Sequence, residues 1–276
     1  MEILINLIAS IIFAILGAVS YRYLYLPYMR RTNALSRLSP LDFSKDPVYL
    51  CYGLVSPSEP DKHYTVAQGD LSAVTLGYQI LAGNYGGERV RIQNCVVTEP
   101  HVSEVSNLLA ISGPRWNSVT KRYMGRLGSP LRFTDDRKAL ILRKRDRSRE
   151  TFTNTYRPSG DPEVCYGIIL GGVMRHSDRK QNVVICAGSN SFSTYGCVII
   201  LDDLRHSRSL RRMRRVSELK NEPRWGLIVR VQNLSTASAE PQGRQPFERS
   251  QLEVVVERSL TAAEFSEPYV YSPAIE

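Results

Sequence analysis

The chain has 276 residues, with 36 lysines and arginines against 27 aspartates and glutamates, for a formal charge of +9. Its five cysteines, an odd number without a CxxC pair, argue against a disulfide-framed secreted scaffold and a zinc ribbon. The four histidines, at 63, 101, 176 and 206, have no spacing suited to a metal site or a catalytic triad, so neither metal nor cofactor is expected.

From Ile3 to Ser20 every residue except Asn6 and Ser10 is apolar or small, and Tyr21, Tyr23, Tyr25 and Tyr28 follow. About 20 apolar residues let a helix cross a bilayer core, and tyrosines suit its interface. A cleaved signal peptide is the competing reading, with Ala18-Val19-Ser20 as the cleavage site. The lack of a positive segment before the run, and Arg22, Arg30, Arg31 and Arg37 after it, favour a retained anchor. The expected organisation is a transmembrane anchor over 1–28 with its amino terminus outside, a basic linker over 29–46, one cytoplasmic domain over 47–260 and a tail over 261–276.

Within the domain, the apolar run 47–55 reads as a buried strand and 56–61 as a loop. Leu71, Val74, Tyr78 and Leu81 recur at helical steps, predicting a helix over 70–82 that starts near an Asp70 cap and stops at Gly83-Asn84. Strands are predicted over 90–97 and 107–112, then a helix over 119–127. Residues 131–160 read as a polar excursion with a hairpin around 139–142. Strands over 164–173 and 182–187, a polar loop over 188–196, a helix over 197–205, and strands over 225–231 and 252–257 complete the domain. This order of elements predicts a Rossmann-like α/β fold with a largely parallel sheet.

Two places repeat one layout: a buried strand, a small-residue turn, a helix start. Such turns present backbone N–H groups and a helix dipole to an anion, and in open α/β sheets they gather beyond the carboxyl ends of the strands. The first turn is Gly113-Pro114-Arg115-Trp116-Asn117-Ser118. The second runs from Gly188 to Gly196 and includes Ser189, Asn190, Ser193 and Thr194. Neither is a P-loop or a GxGxxG motif. Tyr52, at the end of the first strand, is placed to stack on a base or ribose, and Trp116 to cover a planar ligand. Tyr166 reads as a core aromatic. The carboxylates nearest the strand ends are Asp70, Glu99, Glu104, Asp202 and Asp203, with no recognisable catalytic pairing.

Gly113-Pro114-x-x-Asn117 after a strand, Tyr166-Gly167-Ile168-Ile169, and the turn from Ala187 to Gly196 resemble Rossmannoid nucleotide-sensing domains of the SLOG type. These are similar in layout to nucleoside deoxyribosyltransferases and are associated with bacterial conflict and stress systems. The resemblance spans roughly residues 48–258 and implies a nucleotide-derived ligand at Gly113, Pro114 and Asn117 on one turn and at Gly188, Ser189, Thr194 and Gly196 on the other. A transmembrane effector is implied beside it. The missing catalytic motif leaves an N-glycosidic hydrolase or transferase as one alternative, and a membrane-bound scaffold that uses its arginine clusters is another. Ala14 and Gly17 suit close packing of anchor helices in a homo-oligomer.

Two basic clusters remain: Arg137, Lys138, Arg143, Lys144, Arg145, Arg147 and Arg149, and then Arg205, Arg208, Arg211, Arg212, Arg214 and Arg215. Beside a membrane they suit anionic headgroups. Without interleaved aromatics they do not indicate nucleic acid, and a solvated face is the plain alternative.

Overall fold

A computed structural model of the chain describes residues 2–21, 23, 47–55, 66–98, 101, 105–176, 179–204, 219, 222–234 and 249–266. The linker, the loop at 56–61, Glu99, Glu104, His63 and the arginines between 205 and 215 lie outside them.

Helix α1 covers Glu2–Ser20. Leu7, Ile11, Phe13, Leu16 and Val19 along it are exposed. Part of its side chains lie outside the described residues, and among the described ones no helix is long and apolar enough to cross a membrane.

The domain opens with β1 (Val48–Tyr52) and α2 (Gln68–Tyr85), followed by β2 (Val90–Asn94) and a single turn of helix, α3 (Cys95–Thr98). Next come β3 (Asn107–Ile111) and α4 (Ser118–Arg126). The polar excursion is an antiparallel three-stranded sheet of β4 (Leu131–Phe133), β5 (Ala139–Arg143) and β6 (Arg149–Thr153). The short β7 (Thr155–Tyr156) leads to β8 (Pro162–His176), β9 (Arg179–Gly188) and α5 (Ser191–Leu204). β10 (Arg224–Asn233) and β11 (Leu252–Leu260) close the main sheet, whose order is β11-β10-β8-β9-β3-β1-β2 with β7 on β8.

The sheet is mixed. β2, β1, β3 and β9 form a parallel block; β8, β10 and β11 extend it antiparallel. The reason is local: His176 pairs with Arg179, and so short a connection joins only antiparallel strands. The crossover from β1 to β2 is made by α2, and β3 reaches its parallel neighbour β9 through α4, the small sheet and β8.

Two cores result, one on each face. α2 and α5 cover the first, where Leu50, Ile80, Phe192, Val198 and Trp225 pack. α4 and the small sheet cover the second, with Leu108, Tyr123, Leu140 and Ile168. In α2 the buried set Asp70, Ala73, Val74, Gly77, Ile80 and Leu81 follows helical spacing, so one stripe meets the sheet. That helix outruns its predicted stop and ends at Gly86, whose φ of 92° suits glycine. β2 is shorter than predicted, since Cys95 begins the helical turn. Packing continues beyond 260: Ala262–Glu264 form a turn and Phe265 is buried in the second core.

Gly125 is exposed on α4, and a Cβ there would meet nothing within 4 Å. Gly125→Ala is expected to raise the unfolding free energy by about 0.5–1 kcal/mol, measured by urea denaturation, because alanine loses less backbone freedom on folding.

Candidate functional site at the carboxyl edge of the parallel strands

Because β1, β3 and β9 are parallel and in register, Tyr52 pairs with Ile111 and Ile111 with Cys186. The residues that follow, Gly53, Ser112-Gly113 and Gly188, therefore emerge at one edge. The two predicted turns touch: a Cβ on Gly113 would lie 2.6 Å from the Gly188 carbonyl oxygen. Gly53 is equally close to the first turn, 2.7 Å from the Trp116 oxygen by the same measure. α2 packs on the first-core face and α4 on the second, so the helices leaving β1 and β3 diverge, as at the ligand crevice of doubly wound folds.

Asp70 stands at this junction. It lies in the first turn of α2, whose N-cap is Ala67 and has no side-chain cap, so Asp70 is not the cap. The start of α2 abuts that of α5: a Cβ on Gly69 would come within 2.6 Å of the Ser191 oxygen. Asp70 is 3% exposed. Its Oδ2 accepts from Ser112 Oγ at 2.7 Å, and Ser112 Oγ in turn accepts from the Gly53 N–H at 3.2 Å. Its Oδ1 is buried with no hydrogen-bond partner among the described residues. Thr194 is close enough to counter part of the rise in the Asp70 pKa, but its Oγ1 donates to the Asn190 carbonyl at 3.1 Å. Burial pushes the Asp70 carboxyl above its ordinary 3.8, and Ser112 and Thr194 only partly offset this. Ser112 has a φ of 101°, a conformation that costs a non-glycine residue of order 1–3 kcal/mol and that clusters at functional sites.

The polar groups of the first turn mostly face inward. Asn117 is fully buried and caps α4: its Oδ1 accepts from the Thr120 N–H at 3.1 Å. Its Nδ2 donates to the Ile111 carbonyl at 2.9 Å and the Cys51 carbonyl at 3.4 Å. Asn117 thus fastens β1 to β3 and is not presented to a ligand. Gly113 is buried and Pro114 half-buried.

The second turn is shorter than predicted, because α5 begins at Ser191. Asn190 and Ser193 form a reciprocal cap. The Ser193 N–H donates to Asn190 Oδ1 at 2.9 Å, and the Asn190 N–H donates to Ser193 Oγ at 3.2 Å. Ser189 is buried, and its Oγ accepts from Asn154 Nδ2 at 2.9 Å. A Cβ on Gly188 would lie 2.5 Å from both the Asn190 carbonyl oxygen and Ser193 Oγ, so this glycine serves its own turn. Gly196 allows α5 to lie on β10, where a Cβ would overlap Val231. Tyr52 is half-buried against the first core, and Tyr166 packs beside Phe152 with ring centroids 5.5 Å apart.

The less buried groups at this edge are Arg115 and Trp116 of the first turn, joined by Arg137 from outside it. Half-buried Trp116 carries the Arg115 guanidinium at 4.9 Å from its ring and that of Arg137 at 5.6 Å. Arg137 arrives on the β4–β5 turn, held by Asn154 Nδ2 donating to its carbonyl at 2.8 Å. Asn154 also accepts from the Tyr166 N–H at 3.0 Å, tying the small sheet to the main one. Sequence reasoning passed over Ser112 and Asn154; neither sits in a motif, and their partners lie 42 and 35 residues away in the chain.

Asp202 and Asp203 are both paired with Arg249. All five cysteines are buried free thiols, and burial pushes Cys165 up to about 11. Among the described residues no group of three or more metal-ligating side chains gathers. No family model and no curated protein matches the sequence.

Proposed function

We propose that the chain is a single-pass membrane-anchored sensor whose cytoplasmic α/β domain binds a nucleotide-derived ligand at the junction of β1, β3 and β9. The observation that carries the ligand reading is the buried Oδ1 of Asp70, which has no hydrogen-bond partner among the described residues, beside the left-handed Ser112. A buried polar atom without a partner is rare in native proteins, and a donor from a bound molecule would satisfy it. A ribose hydroxyl or a base amino group is such a donor. Trp116 would take the base, and Arg115 and Arg137 would take the phosphate.

The anchor reading is supported by the unbroken 19-residue α1. At 1.5 Å per residue it is about 28 Å long, close to a bilayer core. From Ser10 to Ser20 every residue of it is exposed, as in a helix that lipid surrounds. A Cβ on Gly17 would meet nothing within 4 Å, leaving room for a second helix to approach. Ligand binding in the domain would then bias self-association, and with it the packing of the anchors, in a defence or stress response.

An N-glycosidic hydrolase or transferase is the second reading, and it is favoured by the same carboxyl: a buried acid with a raised pKa suits proton donation to a leaving group. Thermal unfolding of the full chain in detergent, screened against mono-, di- and cyclic nucleotides with analysis of products, separates the two. A ligand at a hundredfold excess over Kd stabilises by about 2.7 kcal/mol. Stabilisation without turnover is the expected result. Release of free base would replace the sensor with the enzyme, and no response to any nucleotide would overturn both.

A further inference from the structure

The four parallel strands begin at the edge opposite the ligand junction, with Val48, Val90, Asn107 and Arg179, and the chain enters the domain there at Val48. β8 ends and β10 begins at this amino edge, since Gly172 pairs with Arg224. α4 also ends there, because the Leu127 carbonyl accepts from Arg224 Nη1 at 3.1 Å.

The β5–β6 turn belongs to the same edge. The Arg143 N–H donates to the Pro130 carbonyl at 3.0 Å, just past the end of α4. Glu150, at the start of β6, accepts from Arg258 at 2.6 Å, near the amino-edge end of β11. In this turn Arg143, Lys144, Arg145, Arg147 and Arg149 surround a single acid, Asp146, whose Oδ1 accepts from the N–H and hydroxyl of Ser148.

Among the described residues the charge of this edge is unbalanced. Glu150 is paired with Lys144 and Arg258, Glu222 accepts from the Ala262 N–H, and Glu264 holds Arg258 and the Thr261 N–H. Arg143, Arg145, Arg147 and Arg149 are exposed, with Arg91 and Lys180 exposed on β2 and β9, and Glu88 is the other exposed acid among the described residues here. The carboxyl edge is different: Asp135, Asp136, Asp161, Glu163 and Glu253 interleave with Arg115, Arg137, Lys138 and Arg157.

We propose that the amino edge is an electrostatic docking face for anionic lipid headgroups, with the 143–149 turn as its main contact, which turns the ligand junction away from the membrane. The proposal rests on the anchored reading above. Lipid is favoured over nucleic acid because the apolar amino-terminal segment leads into the domain at this same edge, and because no aromatic interrupts residues 143–149. Basic side chains gain attraction to an anionic surface only within about a Debye length, so a turn that projects from the edge contributes most.

The test uses the full chain reconstituted in vesicles of phosphatidylcholine alone or of phosphatidylcholine with phosphatidylserine. Trypsin cleavage after Arg145 and Arg147 is measured relative to cleavage after Lys138, at the other edge. That ratio is expected to fall about tenfold on the anionic vesicles and to recover in high salt. An equal ratio on both lipids overturns the proposal. So does protection by duplex DNA with none by phosphatidylserine, which would assign the face to nucleic acid. Loss of the protein from phosphatidylcholine vesicles in a carbonate wash overturns the anchored reading instead, and is read separately from the ratio.

Discussion

The Asp70→Asn variant is expected to lose nucleotide response while becoming more stable at neutral pH. The carboxylate must supply one acceptor to Ser112 Oγ and, in the proposed complex, a second to the ligand. An asparagine has one acceptor oxygen and one donor group, so it cannot serve both. Losing a charge-assisted bond of about 1.5–3 kcal/mol would weaken binding roughly ten- to a hundredfold. Stability moves the other way. Burial raises the Asp70 pKa, so the native chain holds this proton more tightly than the unfolded chain. Stability from this group is therefore present at low pH and is lost as pH rises from 3.8 through the raised folded value. The amide does not ionise and escapes that loss, so the variant is expected to be the more stable at neutral pH. Urea denaturation across pH together with a nucleotide thermal-shift assay measures both. A variant less stable at neutral pH, with nucleotide response intact, would make Asp70 a structural group and remove the main support for the ligand reading.

Asn117→Ala is expected to unfold the domain at much lower denaturant, by about 3 kcal/mol. A lost helix cap alone costs about 1 kcal/mol, and buried groups left without partners cost about 1–3 kcal/mol more. The change strips the Thr120 N–H, the Ile111 carbonyl and the Cys51 carbonyl of their Asn117 partner at a site with no water access. Asn117→Asp separates the contributions. It keeps the acceptor that caps α4 but loses the donor to the strand carbonyls, so it should retain the cap and still be destabilised. If alanine cost less than about 0.5 kcal/mol, the range of an ordinary surface substitution, Asn117 would not be the fastener its hydrogen bonds indicate.

Both variants concern residues whose types were visible in the sequence and whose roles were not. Asn117 was legible as part of a strand-to-helix turn, yet capping a helix and reading a ligand use the same amide, and spacing cannot say which way it faces. The glycines at 113 and 188 were legible as members of two small-residue turns, whereas the close contact between those turns was not. That they approach each other follows from the parallel register of β3 and β9.

Taken alone, the sequence determined the features that depend on near neighbours. These are the apolar amino-terminal run, the buried strands, the presence of a helix at α2 and the two small-residue turns; of the face predicted for that helix, Val74 and Leu81 are buried, Tyr78 is half-buried and Leu71 is exposed. It did not determine the antiparallel half of the sheet, the earlier start of α5 at Ser191, or the packing of 131–153 as a small sheet over the second core. It also did not determine the pairing of Asp70 with Ser112, or the gathering of cations from β2, β9 and the β5–β6 turn on one edge. Periodicity reports which face of an element is buried, because that depends on residues three or four positions apart. Which elements meet, and which polar atom is left without a partner where they meet, depends on contacts between distant segments that only the folded chain brings together.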